Sequence, residues 1–392
     1  MAQKLKFGNG TWANKEGSTL AYNDEGNNYK PLPFSFERDS IATRVNKEGL
    51  IEVVGNDIPR IDYKDSADGV LLLEPSRSNL FLNSEPTSNE NASGGITYES
   101  FNWFLGFSNC IKFGDDSSLR FRYGATVSAT TQHTISAFVI MDDLSEPLVG
   151  VSSVTGDFAF VCGGVTGGVA NENIYYGNNI YRVSTTLTSG TNFNNSGIIK
   201  YTSQSSKGFR VVGLQIEQGS YPTSYIPTQG SAVTRVADVC NQTPPSGIIG
   251  QTEGTMFFEI DFKNTSQVAG AWSISSGSSA NRITMNTLGF SSTQFTLSIA
   301  QNYNSSSTKL ASTNVTYIDN HKVAIKYSAT TLKLFVDGQL SDSVSTDGFG
   351  NYTKFYIGGN QVGVGGDARK FIQADLYNTA LTDQELQALT TI

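Results

Sequence analysis

The sequence predicts an all-β protein, with two β-sandwich domains in series behind an extended N-terminal arm and one short C-terminal helix. Three observations carry this expectation. Only 16% of the 392 residues are charged, while 38% are hydrophobic, 11% are aromatic and 39 are glycine. That mixture suits short strands joined by polar turns and suits disorder poorly. Apolar residues alternate with period two through much of the chain, and a capped helical pattern occurs only at the C-terminal end. The length exceeds what one ordinary core accommodates and points to two or three domains.

Residues 1–35 are polar and end in "KPLPF". Pro31 and Pro33 lack the amide hydrogen a central strand needs, so this stretch reads as an extended arm. Residues 36–80 carry the short apolar runs "GLIEVV" and "GVLLLE" between turn residues, and these read as strands. From 119 to 217 the alternation is plain. In "LRFRYGATV", Leu119, Phe121 and Tyr123 fall on one face and Arg120 and Arg122 on the other. "HTISAFVIM", "IYRVSTTLT" and "FRVVGLQIE" continue the pattern, as expected of an antiparallel sandwich spanning 36–240. After Glu217 the chain has Pro222 and Pro227 and no helical period, which predicts a strap laid over that sandwich.

"NQTPPSGIIG" begins a predicted Pro/Gly linker at 241–252, and a second all-β unit is expected over 253–392. Within the latter, Asp337-Gly338 separates two strand patterns and predicts a tight hairpin, because both residues tolerate positive φ. In "LTDQELQALTTI", Thr382 and Glu385 form a capping-box pattern, while Leu386 and Leu389 offer an apolar side for docking.

The chemistry is sparse. A net charge of −8 without a Lys/Arg cluster argues against nucleic acid as a partner. The chain opens on polar sequence, with no signal-peptide pattern, and no apolar run nears the ~20 residues of a membrane span. Cys110, Cys162 and Cys240 are too few and too far apart for a disulfide framework or a zinc site. His133 and His321 have no nearby His or Cys at ligand spacing, and no nucleophile elbow or phosphate loop is present, so no metal, cofactor or catalytic residue is expected. Glu259 and Asp261 share one face of "FFEIDFKN" and invite comparison with glycoside hydrolases of the laminarinase type, which place a third carboxylate two residues on. Lys263 stands there instead. Lysine cannot supply the missing acid, and glycosidase chemistry is not expected.

Residues 253–392 resemble concanavalin A-like or laminin-G-like domains in "GTMFFEID", "HKVAIKYSATTLKLFVDGQL", "FYIGG" and "DLYNTALTDQELQALT". That resemblance implies a jelly roll that binds sugars or protein surfaces without catalysis. Residues 34–240 resemble a second family, the fibre and spike proteins of tailed bacteriophages, of the crAss-like or Bacteroidota-phage kind. The strings that carry it are "FERDSIATRVNKEGLIEVV", "IPRIDY", "GVLLLEPSRSNLFLNSE" and "GLQIEQGSYPTSYIPTQGSAVTRVADVC". Thr43-Arg44-Val45 returns as Thr234-Arg235-Val236, and the resemblance implies that the first copy opens the unit and the second closes it. Arg44, Arg60, Arg77 and Arg235 recur at turns in these strings and read as pins for buried carbonyls or carboxylates.

The resemblance implies a virion-surface fibre subunit on head or tail, made in the bacterial cytoplasm. It further implies a homotrimer, attachment to a capsid or tail protein through the arm, and adhesion to host-surface or mucus glycan. A tail-spike depolymerase and a bacterial glycan-binding adhesin are the alternatives. Sugar sites combine aromatic faces with Asn and Asp side chains. Two stretches offer that mixture: "NENIYYGNNIY", with Tyr175, Tyr176, Asn178 and Asn179, and "TYESFNWF", with Tyr98 and Trp103. The same residue types serve equally as ordinary surface or core.

Overall fold

A computed structural model describes residues 4–8, 13–15, 19–23, 29–30, 35–86, 92–93, 96–103, 105–115, 119–123, 125–171, 173–191, 195–243, 247–262, 269–291, 293–304, 306–316, 320–346, 348–359 and 369–392. The chain forms two compact units. One comprises Met1–Ile41, Val54–Pro75 and Val236–Ile392; the other comprises Ala42–Val53 and Ser76–Arg235. The second is thus inserted into the first, and the serial division at 36–240 and 253–392 gives way to a nested one. The cause is strand pairing across long sequence distances, which no local pattern announces. Ser35–Glu37 pairs with Val239–Gln242, which pairs in turn with Lys354–Ile357. Arg60–Asp62 pairs with Val70–Leu73, whose other edge meets Arg369–Tyr377.

The outer unit is a sandwich of two antiparallel sheets. The first runs Gln339–Ser345, Thr331–Val336, His321–Ser328, Gly254–Asp261, Arg369–Tyr377, Val70–Leu73 and Arg60–Asp62. The second runs Ser306–Thr316, Gln294–Tyr303, Arg282–Leu288, Ala269–Ser275, Lys354–Ile357, Val239–Gln242 and Ser35–Glu37. Met256, Phe258 and Ile260 alternate into the core between them, where Phe258 stacks on Trp272 at 4.9 Å. Phe257 points the other way and is covered by Leu386 of the helix Asp383–Thr390. That helix starts on the Thr382–Glu385 capping box, and Asp383 accepts from Lys326 and Lys333. The Asp337-Gly338 turn has φ values of 50° and 81°.

Two expectations change within this unit. The arm is not merely extended: Lys4–Gly8 pairs antiparallel with Gln373–Tyr377, on the stretch of edge that Val70–Leu73 leaves unpaired, and Ala13–Lys15 pairs with Thr19–Asn23. Pro31 and Pro33 lie outside the described residues. Nor is 241–252 a free linker. Asn241 and Gln242 lie in a ladder, Ile249 is buried, and Gln251 bonds both ways with the Tyr352 backbone. Pro244, Pro245 and Ser246 lie outside the described residues.

Arg38, Arg60, Glu74 and Asp238 form a buried ionic network in the outer unit. Arg38 reaches Asp238 at 3.0 Å, and Arg60 reaches Glu74 at 2.6 Å and also Asp238. Burial opposes the charge on Arg60, but the two carboxylates outweigh it and raise its pKa. Each of the four residues sits close in sequence to a point where the chain leaves or re-enters this unit.

The inserted unit is a second sandwich. Its five-stranded sheet runs Ala92–Ser93, Leu119–Tyr123, Ser196–Lys200, Ala159–Cys162 and Val165–Thr166. Its larger sheet runs Thr97–Ser100, Asn109–Phe113, Phe209–Gln218, Gln132–Met141, Tyr181–Thr188 and Val169–Ala170, with Ile174–Tyr175 also on Tyr181–Thr188. Phe113 stacks on Phe209 at 4.5 Å in the core. The central strand Gln132–Met141 is buried from His133 onward on both faces. The proline-containing strap explains this, since Tyr225 joins Trp103, Phe107 and Phe138 in a second apolar cluster. Asn79 pins the strap by donating to Ile226 O at 2.8 Å and to Leu214 O at 3.1 Å.

The four recurring arginines have different settings. Arg235 is buried and donates to Ser224 Oγ at 3.0 Å and Thr223 Oγ1 at 3.2 Å. Arg77 is half-buried, its guanidinium 5.5 Å from the Tyr221 ring centroid. Arg44 pairs with Glu52 at 2.5 Å and is partly exposed. Arg60 belongs to the buried network.

Candidate functional site

Ile174–Tyr175 pairs with Tyr181–Thr188, setting Tyr175 directly opposite Tyr181. Between them, Gly177, Asn178 and Asn179 all have left-handed φ values, of 85°, 51° and 59°. Glycine and asparagine are the residues that adopt this region most readily, so "GNN" dictates the turn. The turn closes with Tyr176 N to Ile180 O at 2.8 Å and Ile180 N to Gly177 O at 2.9 Å.

Strand alternation then separates the two adjacent tyrosines. Tyr175 is 51% exposed, and its ring lies 5.1 Å from that of Tyr181 at an angle of 51°. Its hydroxyl accepts from Asn179 N at 3.5 Å. Tyr176 turns inward and meets Phe138 edge-on at 5.2 Å. Tyr181 packs against the core, which gives the exposed ring a fixed base. Asn173 donates to Glu146 Oε1 at 2.9 Å and Pro147 O at 2.8 Å, bringing an exposed carboxylate alongside. Desolvation, then the charge of Glu146, raise the Tyr181 pKa, so its hydroxyl remains a donor. The result is a surface with an aromatic face, a phenol donor, a carboxylate acceptor and two asparagines on a fixed turn.

Trp103 belongs elsewhere. It is fully buried, edge-on to Phe101 at 5.5 Å, in one cluster with Leu105, Phe107 and Phe138. The segment 101–108 folds back on itself through Phe101 N to Ser108 O at 3.0 Å, with Gly106 at φ 99°. Its density of large apolar residues drives it into the sheet, and that density is a signal present in "FNWFLGF". Tyr98 is half-buried and packs against the main core. Trp103 and Tyr176 therefore belong to one apolar cluster, Trp103 buried within it and Tyr176 half-buried against it. Tyr181, Glu146 and Asn173 were not anticipated. The repeated Tyr around "GNN" was a legible clue to Tyr181, while Glu146 lies in a separate loop.

Other polar groups have structural partners. Glu259 is placed opposite Lys322 and Gln373, and Asp261 opposite Lys370, which ion-pairs with Asp65. Position 263 lies outside the described residues. Both ring nitrogens of His321 are engaged, by Asp337 Oδ2 at 2.6 Å and Thr316 O at 2.8 Å. All three cysteines are free and buried; burial first pushes the Cys110 and Cys162 thiols up to about 11, so neither is a ready nucleophile. Among the described residues no group of three His, Cys, Asp or Glu side chains is placed to hold a metal ion. No described helix is long and apolar enough to cross a membrane.

No family model matches the chain, and no curated protein matches it. Among solved structures, it is similar to the CBM40 domain of a Ruminococcus gnavus IT-sialidase bound to α2,3-sialyllactose, with 18% identity over 36% of this chain and 84% of that one and a TM-score of 0.29. It is also similar to domain 4 of AbnA, a GH43 extracellular arabinanase from Geobacillus stearothermophilus in complex with arabinotriose, with 12% identity, 44% and 84% coverage, and a TM-score of 0.29. A third is a SAP-like pentraxin from Limulus polyphemus, with 16% identity, 35% and 69% coverage, and a TM-score of 0.25.

Proposed function

We propose that this chain is a non-enzymatic glycan-binding protein that recognises host-surface or mucus sugar through the Tyr175–Tyr181 surface. The observation that carries the proposal is the exposed Tyr175 ring, backed by Tyr181 and bordered by Asn178, Asn179 and Glu146. A sugar's C–H face packs on such a ring while its hydroxyls meet the phenol, carboxylate and amides. The setting we propose is the surface of a bacteriophage virion, as a head or tail fibre subunit attached to a capsid or tail protein through the N-terminal residues. That part rests on the long strings in 34–240. Its direct check is immunogold labelling of particles with antibody to this chain, and unlabelled particles would overturn it.

Binding at one such open site is expected to be weak, on the order of −4 to −6 kcal/mol. Many copies would raise the avidity by about 100-fold or more. The test is a glycan array probed with multimerised protein, beside a reducing-end assay on each polysaccharide bound. Tyr175→Ala should lower binding about tenfold while leaving the melting temperature unchanged. Released reducing ends would overturn the non-enzymatic reading, and binding indifferent to Tyr175→Ala would overturn the site.

A further inference from the structure

Residues 147–171, "PLVGVSSVTGDFAFVCGGVTGGVAN", contain a single charged residue, Asp157. It is buried, accepting from Leu148 N at 2.8 Å and from Ser205. The surface this segment makes is therefore uncharged, and it is strongly apolar. Leu144, Leu148, Val151, Val154, Val165 and Val169 are all exposed, Leu148 and Val154 by 64% and Val169 by 72%. These side chains lie on the loop 144–156 and on the two short strands Val165–Thr166 and Val169–Ala170, whose connection presses against that loop. A Cβ on Gly167 would fall 2.0 Å from Val151 O, and one on Gly156 would fall 2.5 Å from Leu148 O. Only glycine permits so close an approach.

Both sheets of the inserted unit end here. Val165–Thr166 is the last strand of one and Val169–Ala170 lies at the end of the other. Soluble proteins usually guard such edges with lysine, proline or a covering element. This segment offers no lysine, and its one proline, Pro147, lies off both edges. At the Leu144 side the patch meets charges of both signs, where Lys207 pairs with Asp143 at 2.9 Å and Arg210 with Asp142 at 2.9 Å. An apolar centre beside a mixed-charge rim is the anatomy of a protein–protein interface.

We propose that copies of this chain associate through the apolar surface made by Leu148, Val151, Val154, Val165 and Val169. The charge pattern selects that occupant. A chain of net charge −8 repels its own copies except where a surface is free of charge, and this surface is. An uncharged patch gives a strongly basic or acidic partner nothing to pair with, whereas it complements itself under rotation. Its exposed apolar residues include no aromatic ring for sugar stacking, and the cations that flank it, Lys207 and Arg210, are paired with Asp143 and Asp142 rather than left for lipid headgroups. The inference is independent of the glycan site.

Sedimentation equilibrium on the full chain tests it, with a Val154→Asp/Val169→Lys variant and a Leu310→Asp control, exposed in the outer unit. The wild type and the control should form a discrete multimer. The double variant should dissociate to monomer, its Kd raised about 100-fold or more, with an unchanged circular dichroism spectrum. Val154→Ser should give an intermediate Kd at full stability. A wild type that is monomeric at about 100 µM, a double variant that stays multimeric, or a monomer that instead floats with phosphatidylcholine vesicles would each overturn the proposal.

Discussion

The segment 101–108 and the hairpin 174–181 both combine aromatics with asparagine and glycine, and the chain uses them oppositely. In one, Trp103 is sealed beneath a folded-back loop; in the other, Tyr175 stands out from a short strand. Composition marks both as sugar-binding candidates, but register decides between them. A residue paired across a two-strand ladder must alternate faces, so Tyr176 goes in and Tyr175 goes out. An irregular loop has no such rule, and its apolar mass carries it into the core.

The largest effect that could break this contrast is in stability. Trp103→Ala should cost about 3–5 kcal/mol, since it empties a buried site bounded by Phe101 and Leu105. Tyr175→Ala should stay within about 0.5 kcal/mol, as surface changes do. Chemical denaturation of the two variants measures both. Comparable losses would mean that the exposed ring is a structural element too, and the contrast would fall.

The same comparison sharpens with charge. Arg44–Glu52 and Arg60–Asp238 are both ion pairs of recurring arginines, one partly exposed and the other wholly buried. Asp238→Asn removes the carboxylate that both Arg38 and Arg60 contact, at a point where all three side chains are fully buried. A loss of about 3 kcal/mol is expected, whereas Arg44→Ala should cost at most about 1 kcal/mol. Equal losses would show that the buried network is not what ties the three segments of the outer unit together.

What was legible in the sequence follows the reach of the interactions. The Asp337-Gly338 turn, the Thr382–Glu385 cap and the alternation in Gly254–Asp261 are set by neighbours a few residues apart, and reading them needs nothing else. The pairing of Leu73 with Arg369, or of Phe36 with Cys240, is a choice among distant partners that a local pattern does not encode. The nested order of units was hidden for that reason. The inserted unit begins at Ala42 and ends at Arg235, with Val54–Pro75 returning to the outer unit between, so the repeated Thr-Arg-Val triplets lie at its two ends, where each forms part of a short ladder. Half of the candidate site was legible for a similar reason. Tyr175, Asn178 and Asn179 belong to one local hairpin, while Glu146 arrives from another loop through Asn173.

The finest form of the comparison is between the two histidines, and there the expected difference is one of sign. Both are buried, His133 beside the Thr131 carbonyl alone and His321 between the Thr316 carbonyl and the Asp337 carboxylate. Burial lowers the His133 pKa, and its one backbone bond does not offset this. Burial also opposes a charged His321, but the Asp337 hydrogen bond, the Thr316 bond and the Asp337 charge outweigh it and raise the pKa. Stability from His321 is then complete below the unfolded value of about 6.5 and is lost as pH rises through the folded pKa. Stability from His133 has the opposite course: it is present above about 6.5 and is lost as pH falls toward the folded pKa. Relative to wild type, His321→Gln should therefore cost more at about pH 5.5 than at about pH 8, and His133→Gln should cost less. Thermal unfolding across that range measures both variants. A pH dependence of the same sign in each would mean that Asp337 does not hold a charged imidazole, and that the strand His321–Ser328 is anchored to its hairpin by neutral hydrogen bonds alone.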